Sequence, residues 1–238
     1  MIYISPPFGN YVNHSLCTRI RGTYTWERRR GLLVQVVKTL RKTKGGWRNA
    51  IGFRNCGMEN IQNCDKKSVY SIAALNSDWA PFIENIPNWS RIEINLGCPN
   101  VSSYSIDDRS LEIFAQKFPM TMVKVSPTVN VDFIERLRGC GIRTVHLSNT
   151  IPTDKGGISG AMLREVNLPL FRHINGWFEH TGMAFVAGGG IYKPEHVRQY
   201  KEVGARSFSI STVCFTPWRI NSIVNEAYNR SHGVRRRT

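Results

Sequence analysis

Val186-Ala187-Gly188-Gly189-Gly190-Ile191-Tyr192-Lys193-Pro194 joins an apolar run to a glycine turn and then to a proline suited to the first turn of a helix. This strand, turn and helix start make one βα unit. Working outward, short apolar runs recur along the chain at Tyr3-Ile4, Ala50-Ile51, Val69–Ala74, Ile92–Asn95, Met120–Val125, Thr144–Leu147, Ala184–Ala187 and Ser207–Ile210. Helical periodicity lies between them at 32–40, around 79–84, and at 108–117, 131–138, 168–180, 194–203 and 217–228. Asp107 or Asp108 suits the cap of the third helix. Strands alternating with helices predict a parallel α/β sheet, and eight of them close into a (β/α)8 TIM barrel. An open doubly wound sheet is the alternative, but a glycine-rich phosphate turn this late in the chain favours the barrel. The expected organisation is one compact barrel domain over residues 1–230 and a basic tail over 231–238.

Composition sets the outer limits. The chain has 238 residues, 41% hydrophobic and 21% charged, which fits a soluble globular domain able to bury a core without staples. No apolar run reaches the roughly 18 residues a membrane span needs, and no secretion signal is legible, so a cytoplasmic protein is expected. None of the six cysteines forms a CxxC pair, and the six histidines show no ligand spacing, so no metal is expected. The net charge of +15 attracts anions: phosphates, carboxylates or nucleic acid. It is concentrated in Arg28-Arg29-Arg30, in Arg41, Lys42, Lys44 and Arg48, and in Arg235-Arg236-Arg237. The simplest reading of that charge is solubility, with nucleic acid as the less favoured partner.

A barrel carries its chemistry at the carboxyl ends of its strands. Suggestive residues fall there: Asn95 to Asn100, Lys124, Asn149-Thr150, Gly188-Gly189-Gly190 and Ser211-Thr212, with Asn49 just before the Gly52-Phe53 turn. In Glu93-Ile94-Asn95-Leu96-Gly97-Cys98-Pro99-Asn100 two asparagines flank a thiol. Carboxamides donate and accept, and so suit a flat imide- or amide-rich ligand such as a pyrimidine. A tuned cysteine between them can act as acid or base. Lys124 ends an apolar strand, where a cation is costly unless it has a partner or faces a site. The glycine run lets backbone amides approach a phosphate.

Asn95-Leu96-Gly97-Cys98-Pro99-Asn100 resembles the active-site motif of class 1 dihydroorotate dehydrogenases, which are FMN-binding barrels. Four more segments resemble that family in order. They are Arg48–Gly57, Val123-Lys124-Val125-Ser126-Pro127, Ser148-Asn149-Thr150 with Gly156-Gly157-Ile158-Ser159-Gly160, and Val186–Ile191. The resemblance implies oxidation of dihydroorotate to orotate in pyrimidine (UMP) biosynthesis, with Cys98 as base and hydride passing to flavin N5. It implies substrate contacts from Asn49, Gly52, Phe53, Asn95, Asn100, Asn149 and Thr150. Lys124 would serve catalysis beside the flavin. Cofactor contacts would come from Arg21, Asn95, Lys124, Gly160, Gly188, Gly189, Gly190, Ser211 and Thr212. It also implies a homodimer or an electron-transfer subunit as candidate partners, and fumarate or NAD as the final acceptor.

Three departures stand out. The family has a lysine where Arg21 is nearest, and arginine is no conservative swap because it does not deprotonate and its fork is bulkier. Pro6-Pro7-Phe8-Gly9-Asn10 replaces the family's Ala-Ser-Gly turn, and Ser211-Thr212 stands where Gly-Thr is common. Residues 101–105 read as a lid beside Cys98. The alternatives are a tRNA dihydrouridine synthase using FMN and NADPH, whose Asn-x-Gly-Cys-Pro motif also matches, and a non-catalytic FMN-barrel paralogue.

Overall fold

The computed structural model describes residues 1–61, 64–97 and 105–229. Its strands are β1 (Ile2–Ile4), β2 (Thr18–Tyr24), β3 (Arg41–Thr43), β4 (Gly46–Asn49), β5 (Val69–Ile72) and β6 (Arg91–Asn95). They continue with β7 (Met120–Val125), β8 (Thr144–Leu147), β9 (Ile151–Thr153), β10 (Gly156–Ser159), β11 (Ala184–Gly188) and β12 (Ser207–Ile210). The helices are α1 (Leu32–Thr39), α2 (Ala80–Asn85), α3 (Asp108–Lys117), α4 (Val131–Gly139), α5 (Ala161–Trp177), α6 (Pro194–Glu202) and α7 (Ile220–Tyr228).

Eight strands close a parallel barrel in the order β1-β12-β11-β8-β7-β6-β5-β2, as the alternating pattern predicts. Helices wrap it because their apolar residues recur every three or four positions. In α3, Leu111 and Phe114 are fully buried, the side chain of Asp107 accepts from the amide of Ser110, and Lys117 lies in the last turn. In α4 the cap is Asn130, and Ile134 and Leu137 face inward.

Three elements differ from expectation. Ala50-Ile51 is not a barrel strand; β2 takes that place. Its sequence, Thr-Arg-Ile-Arg-Gly-Thr-Tyr, hides a buried strand among arginines. The arginines are tolerated because they point outward: Arg19 lies 3.3 Å and Arg21 3.7 Å from Asp65, and Arg21 also lies over the Tyr70 ring. Helix α5 begins at Ala161, not at 168. Pro169 removes one backbone donor, but the buried stripe Leu163, Asn167, Phe171 and Ile174 carries the helix across it. A second, antiparallel sheet of order β3-β4-β10-β9 was not foreseen. It pairs Asn49 with Gly157 and so joins two segments distant in sequence.

The barrel interior is apolar at one level, where Tyr3, Ile20, Val69, Met122 and Val186 cluster. Side chains two residues apart on a strand share a face. Past Val69, Met122 and Val186 the inward positions are therefore Ser71, Lys124 and Gly188, and the lining turns polar towards the strands' carboxyl ends. Asp107→Ala should lower the urea-unfolding free energy by about 1 kcal/mol, the usual loss for a helix cap; an unchanged midpoint would mean that α3 holds without it.

Candidate functional site

A cleft of about 1080 Å³ opens at this polar end and joins a smaller chamber of about 100 Å³. Lys124, Asn149, Thr150, Ser211 and Thr212 line both. Asn49, Gly52, Phe53 and Asn95 line the cleft, and Gly160, Gly189 and Gly190 line the chamber.

The asparagines come together through strand register. Asn95 ends β6 beside Lys124 on β7, and Lys124 stands opposite His146 on β8. Asn149 donates from Nδ2 to Asn95 Oδ1 at 3.2 Å, and Asn95 donates to Thr23 Oγ1 at 3.0 Å. The Thr150 amide donates to Asn149 Oδ1 at 3.0 Å. These links hold both carboxamides in one orientation. Gly97 lets the chain leave β6 here, since a Cβ would fall 2.5 Å from the Ser126 amide and 2.7 Å from Asn149 Nδ2. Asn49 sits on β4, where its Oδ1 accepts from the Ile51 amide at 3.3 Å. Gly52 and Phe53 follow in left-handed backbone, at φ 62° and 55°.

The glycine turn is built the same way. Gly189 has φ 92°, and a Cβ there would meet Asn167 Nδ2 at 2.5 Å. Only glycine lets this backbone lie against α5 while facing the chamber. Asn167 Nδ2 and the Tyr200 hydroxyl both donate to the Gly188 carbonyl, each at 2.9 Å, fixing the turn from behind.

Two predicted contacts fall elsewhere. Arg21 points out of the barrel to Asp65 and Tyr70 and does not line the cleft, because inward and outward residues alternate and its neighbour Ile20 takes the inward place. Gly188 lies behind the chamber rather than in its wall. Cys98 and Asn100 lie outside the described residues, as do residues 101–104 of the expected lid and the basic tail.

Sequence reasoning also missed contributors. Asn10 exchanges two hydrogen bonds with the backbone of Gly22, at 2.9 and 3.0 Å, and accepts from Tyr24. Trp47 and Phe215 stack at 4.5 Å and line the cleft. Beneath the asparagines, Glu93 and His146 form a wholly buried pair, with His146 Nδ1 2.7 Å from Glu93 Oε2. An acid inside Ile92-Glu93-Ile94 was the legible signal for it.

Burial pushes the His146 imidazole below its ordinary 6.5, with Glu93 opposing the shift and Lys124 adding to it. Burial acts upward on Glu93, but His146 and Lys124 outweigh it and hold the carboxyl below its ordinary 4.5. Glu93 is therefore ionised and His146 neutral, with Nδ1–H donating. The carboxylate places a fixed negative charge in the interior that Lys124 shares.

No family model matches the chain. Dihydroorotate dehydrogenase A (fumarate) of Lactiplantibacillus plantarum is 22% identical over 216 residues, which cover 74% of this chain and 70% of the relative. The catalytic subunit of dihydroorotate dehydrogenase B (NAD(+)) of Shouchella clausii is 25% identical over 223 residues, 78% of this chain and 72% of the relative. Among solved structures, the dihydroorotate dehydrogenase of Eimeria tenella in complex with ferulenol superposes with a TM-score of 0.70 at 13% identity, covering 94% of this chain and 79% of that one. The chain is thus similar to barrel oxidoreductases that act on CH–CH donors. Within that class, the curated relatives it is similar to are dihydroorotate dehydrogenases, at 22% and 25% identity.

Both groups of the buried pair are lowered by folding, so the unfolded chain takes up protons that the native state refuses. Stability is therefore full above about pH 6.5 and falls as the solution is acidified. Urea unfolding between about pH 7 and pH 5 should show this loss, and His146→Leu should flatten it. Equal slopes in the two proteins would remove His146 as its source.

Proposed function

We propose that this chain binds FMN and oxidises dihydroorotate to orotate in pyrimidine biosynthesis. The observation that carries the reading is the convergence of Lys124, Asn95, Asn149, Thr150 and Asn49 on one cleft that runs into the glycine-lined chamber. The donor set fits FMN. A chamber walled by Gly189, Gly190, Ser211 and Thr212 offers backbone amides and hydroxyls to a phosphate, and a buried ammonium suits the electron-rich edge of a reduced isoalloxazine. When bound, FMN supplies the hydride acceptor.

The chain's own residues do the rest. Asn95 and Asn149, locked to each other and to Thr23, present carboxamides that match the ring amides and carboxylate of dihydroorotate. Asn49 and Thr150 extend that set from the second sheet and from the end of β8. Cys98 and Asn100 follow β6 directly in sequence. In this reading Cys98 takes the proton from substrate C5 while hydride leaves C6, so one proton and one hydride are removed and a C=C bond forms. Lys124 carries positive charge to the place where negative charge develops, and Glu93 below it keeps that charge in the interior. The nearby relatives' names support the substrate.

Anaerobic addition of dihydroorotate to the FMN-loaded protein should bleach the flavin absorbance. Cys98→Ala should slow the bleaching by about 10² to 10⁴-fold, the usual contribution of a general base. Lys124→Ala should lower both the flavin content and the bleaching rate. A protein that takes up no FMN would overturn the reading. Bleaching by NADPH alone, with tRNA as the final oxidant, would do the same in favour of a dihydrouridine synthase.

A further inference from the structure

The glycine turn of the chamber is gripped at its far end by one ring nitrogen with two neighbours of opposite kind. His196 stands in the first turn of α6. Its Nδ1 lies 3.1 Å from the Tyr192 amide nitrogen and 2.8 Å from the Gly190 carbonyl oxygen. Gly190 and Tyr192 both line the chamber. An unprotonated Nδ1 accepts the Tyr192 N–H but sets its lone pair against the Gly190 oxygen. A protonated Nδ1 donates to Gly190 and gives up Tyr192. One atom cannot serve both, so the proton decides which side of the turn is clamped. The turn has little room to relax around the ring: Gly190 has φ 72°, and a Cβ there would fall 2.6 Å from Arg164 Cβ. The charged groups facing His196 are Arg164 from α5, and Lys193 and Glu195 from its own end of α6. At the start of α7, Arg219 lies over the Tyr192 ring, while Arg198 pairs with Glu195 and Glu226. Burial and then Arg164 hold the imidazole below its ordinary 6.5, with Lys193 adding to them and the Gly190 carbonyl and Glu195 opposing. In the empty site the ring is therefore neutral at neutral pH.

Resting on the FMN reading above, we infer that His196 is the positioning residue that makes this turn select a phosphorylated flavin over an unphosphorylated one. A phosphate in the chamber offsets Arg164 and Lys193 and so favours the imidazolium. The Nδ1–H then holds the Gly190 carbonyl, and the Tyr192 amide is released to serve the anion. A cation thus appears behind the turn when the chamber fills. A flavin without phosphate gains nothing from it. The linkage has a definite sign: affinity for the phosphate rises as pH falls from above the filled-state pKa of His196 to below its empty-state pKa.

The test is fluorescence titration of the full-length, flavin-stripped protein with FMN and with riboflavin between about pH 7.5 and pH 5.5, the range in which histidine titrates. Wild type is compared with His196→Asn, which keeps a hydrogen-bonding group at the turn but does not titrate. The phosphate itself loses charge below about pH 6, equally for both proteins, so the comparison cancels it. Across this range the FMN-to-riboflavin affinity ratio of wild type should grow about tenfold relative to that of the variant, the equivalent of a rise of about one unit in the pKa of His196 on binding. Calorimetry near about pH 6.5, in two buffers of different ionisation enthalpy, should show wild type taking up more protons than His196→Asn with FMN, and the same number with riboflavin. His196→Leu should weaken FMN binding at every pH and leave riboflavin binding near wild type. Parallel pH profiles in wild type and His196→Asn, or equal proton uptake with FMN, overturn the inference and leave His196 a structural residue of the turn. Binding of neither flavin overturns the FMN reading and the inference together, whereas flavin binding with parallel profiles overturns the inference alone.

Discussion

A carboxylate sealed inside a barrel must be neutralised by its neighbours or give up its charge, and the site rests on how Glu93 meets that demand. His146 hydrogen-bonds it directly, and Lys124 faces the same interior. The attraction runs both ways: a buried ammonium on β7 is tolerable because a fixed negative charge lies below it. Register does the placing, since parallel pairing sets Asn95, Lys124 and His146 side by side on three adjacent strands. One buried ion thus supports the layer of carboxamides and the cation that line the cleft.

The polar layer is also held laterally. Thr23, Asn95, Asn149 and the Thr150 amide form a chain of hydrogen bonds from β2 to the end of β8. Each carboxamide has its oxygen and nitrogen assigned by these partners, so the groups are oriented before any ligand arrives. Such preorganisation spares a ligand the cost of ordering its own binding groups.

Much of this was legible in the sequence, for physical reasons that differ by residue. Strands β6, β7, β8, β11 and β12 are buried on both faces and read as apolar runs. Lys124 and the asparagines stood out because polar groups at the ends of such runs need a purpose. Strand β2 was not legible, because Arg19 and Arg21 make it look like a surface segment; their charges are met by Asp65, a partner far along the chain that no local pattern announces. The same alternation misled about Arg21, whose side chain lies on the outer face. The sheet of β3, β4, β10 and β9 was invisible because its strands are only three or four residues long, and their pairing is set by what they cover rather than by propensity.

That small sheet has a consequence for how the molecule assembles. Its two hairpins leave the barrel at widely separated points, one between β2 and β5 and the other between β8 and α5, and they meet where β4 pairs with β10, from Asn49–Gly157 to Trp47–Ser159. The β3–β4 hairpin rests on α1, with Gln35 Nε2 donating to the Ala50 carbonyl and the Ala50 amide to Thr39 Oγ1, but β4 gains its partner β10 only when the far side of the barrel is in place. The cover is therefore a late event in folding: the wall must close first, and the closed wall then templates its own roof.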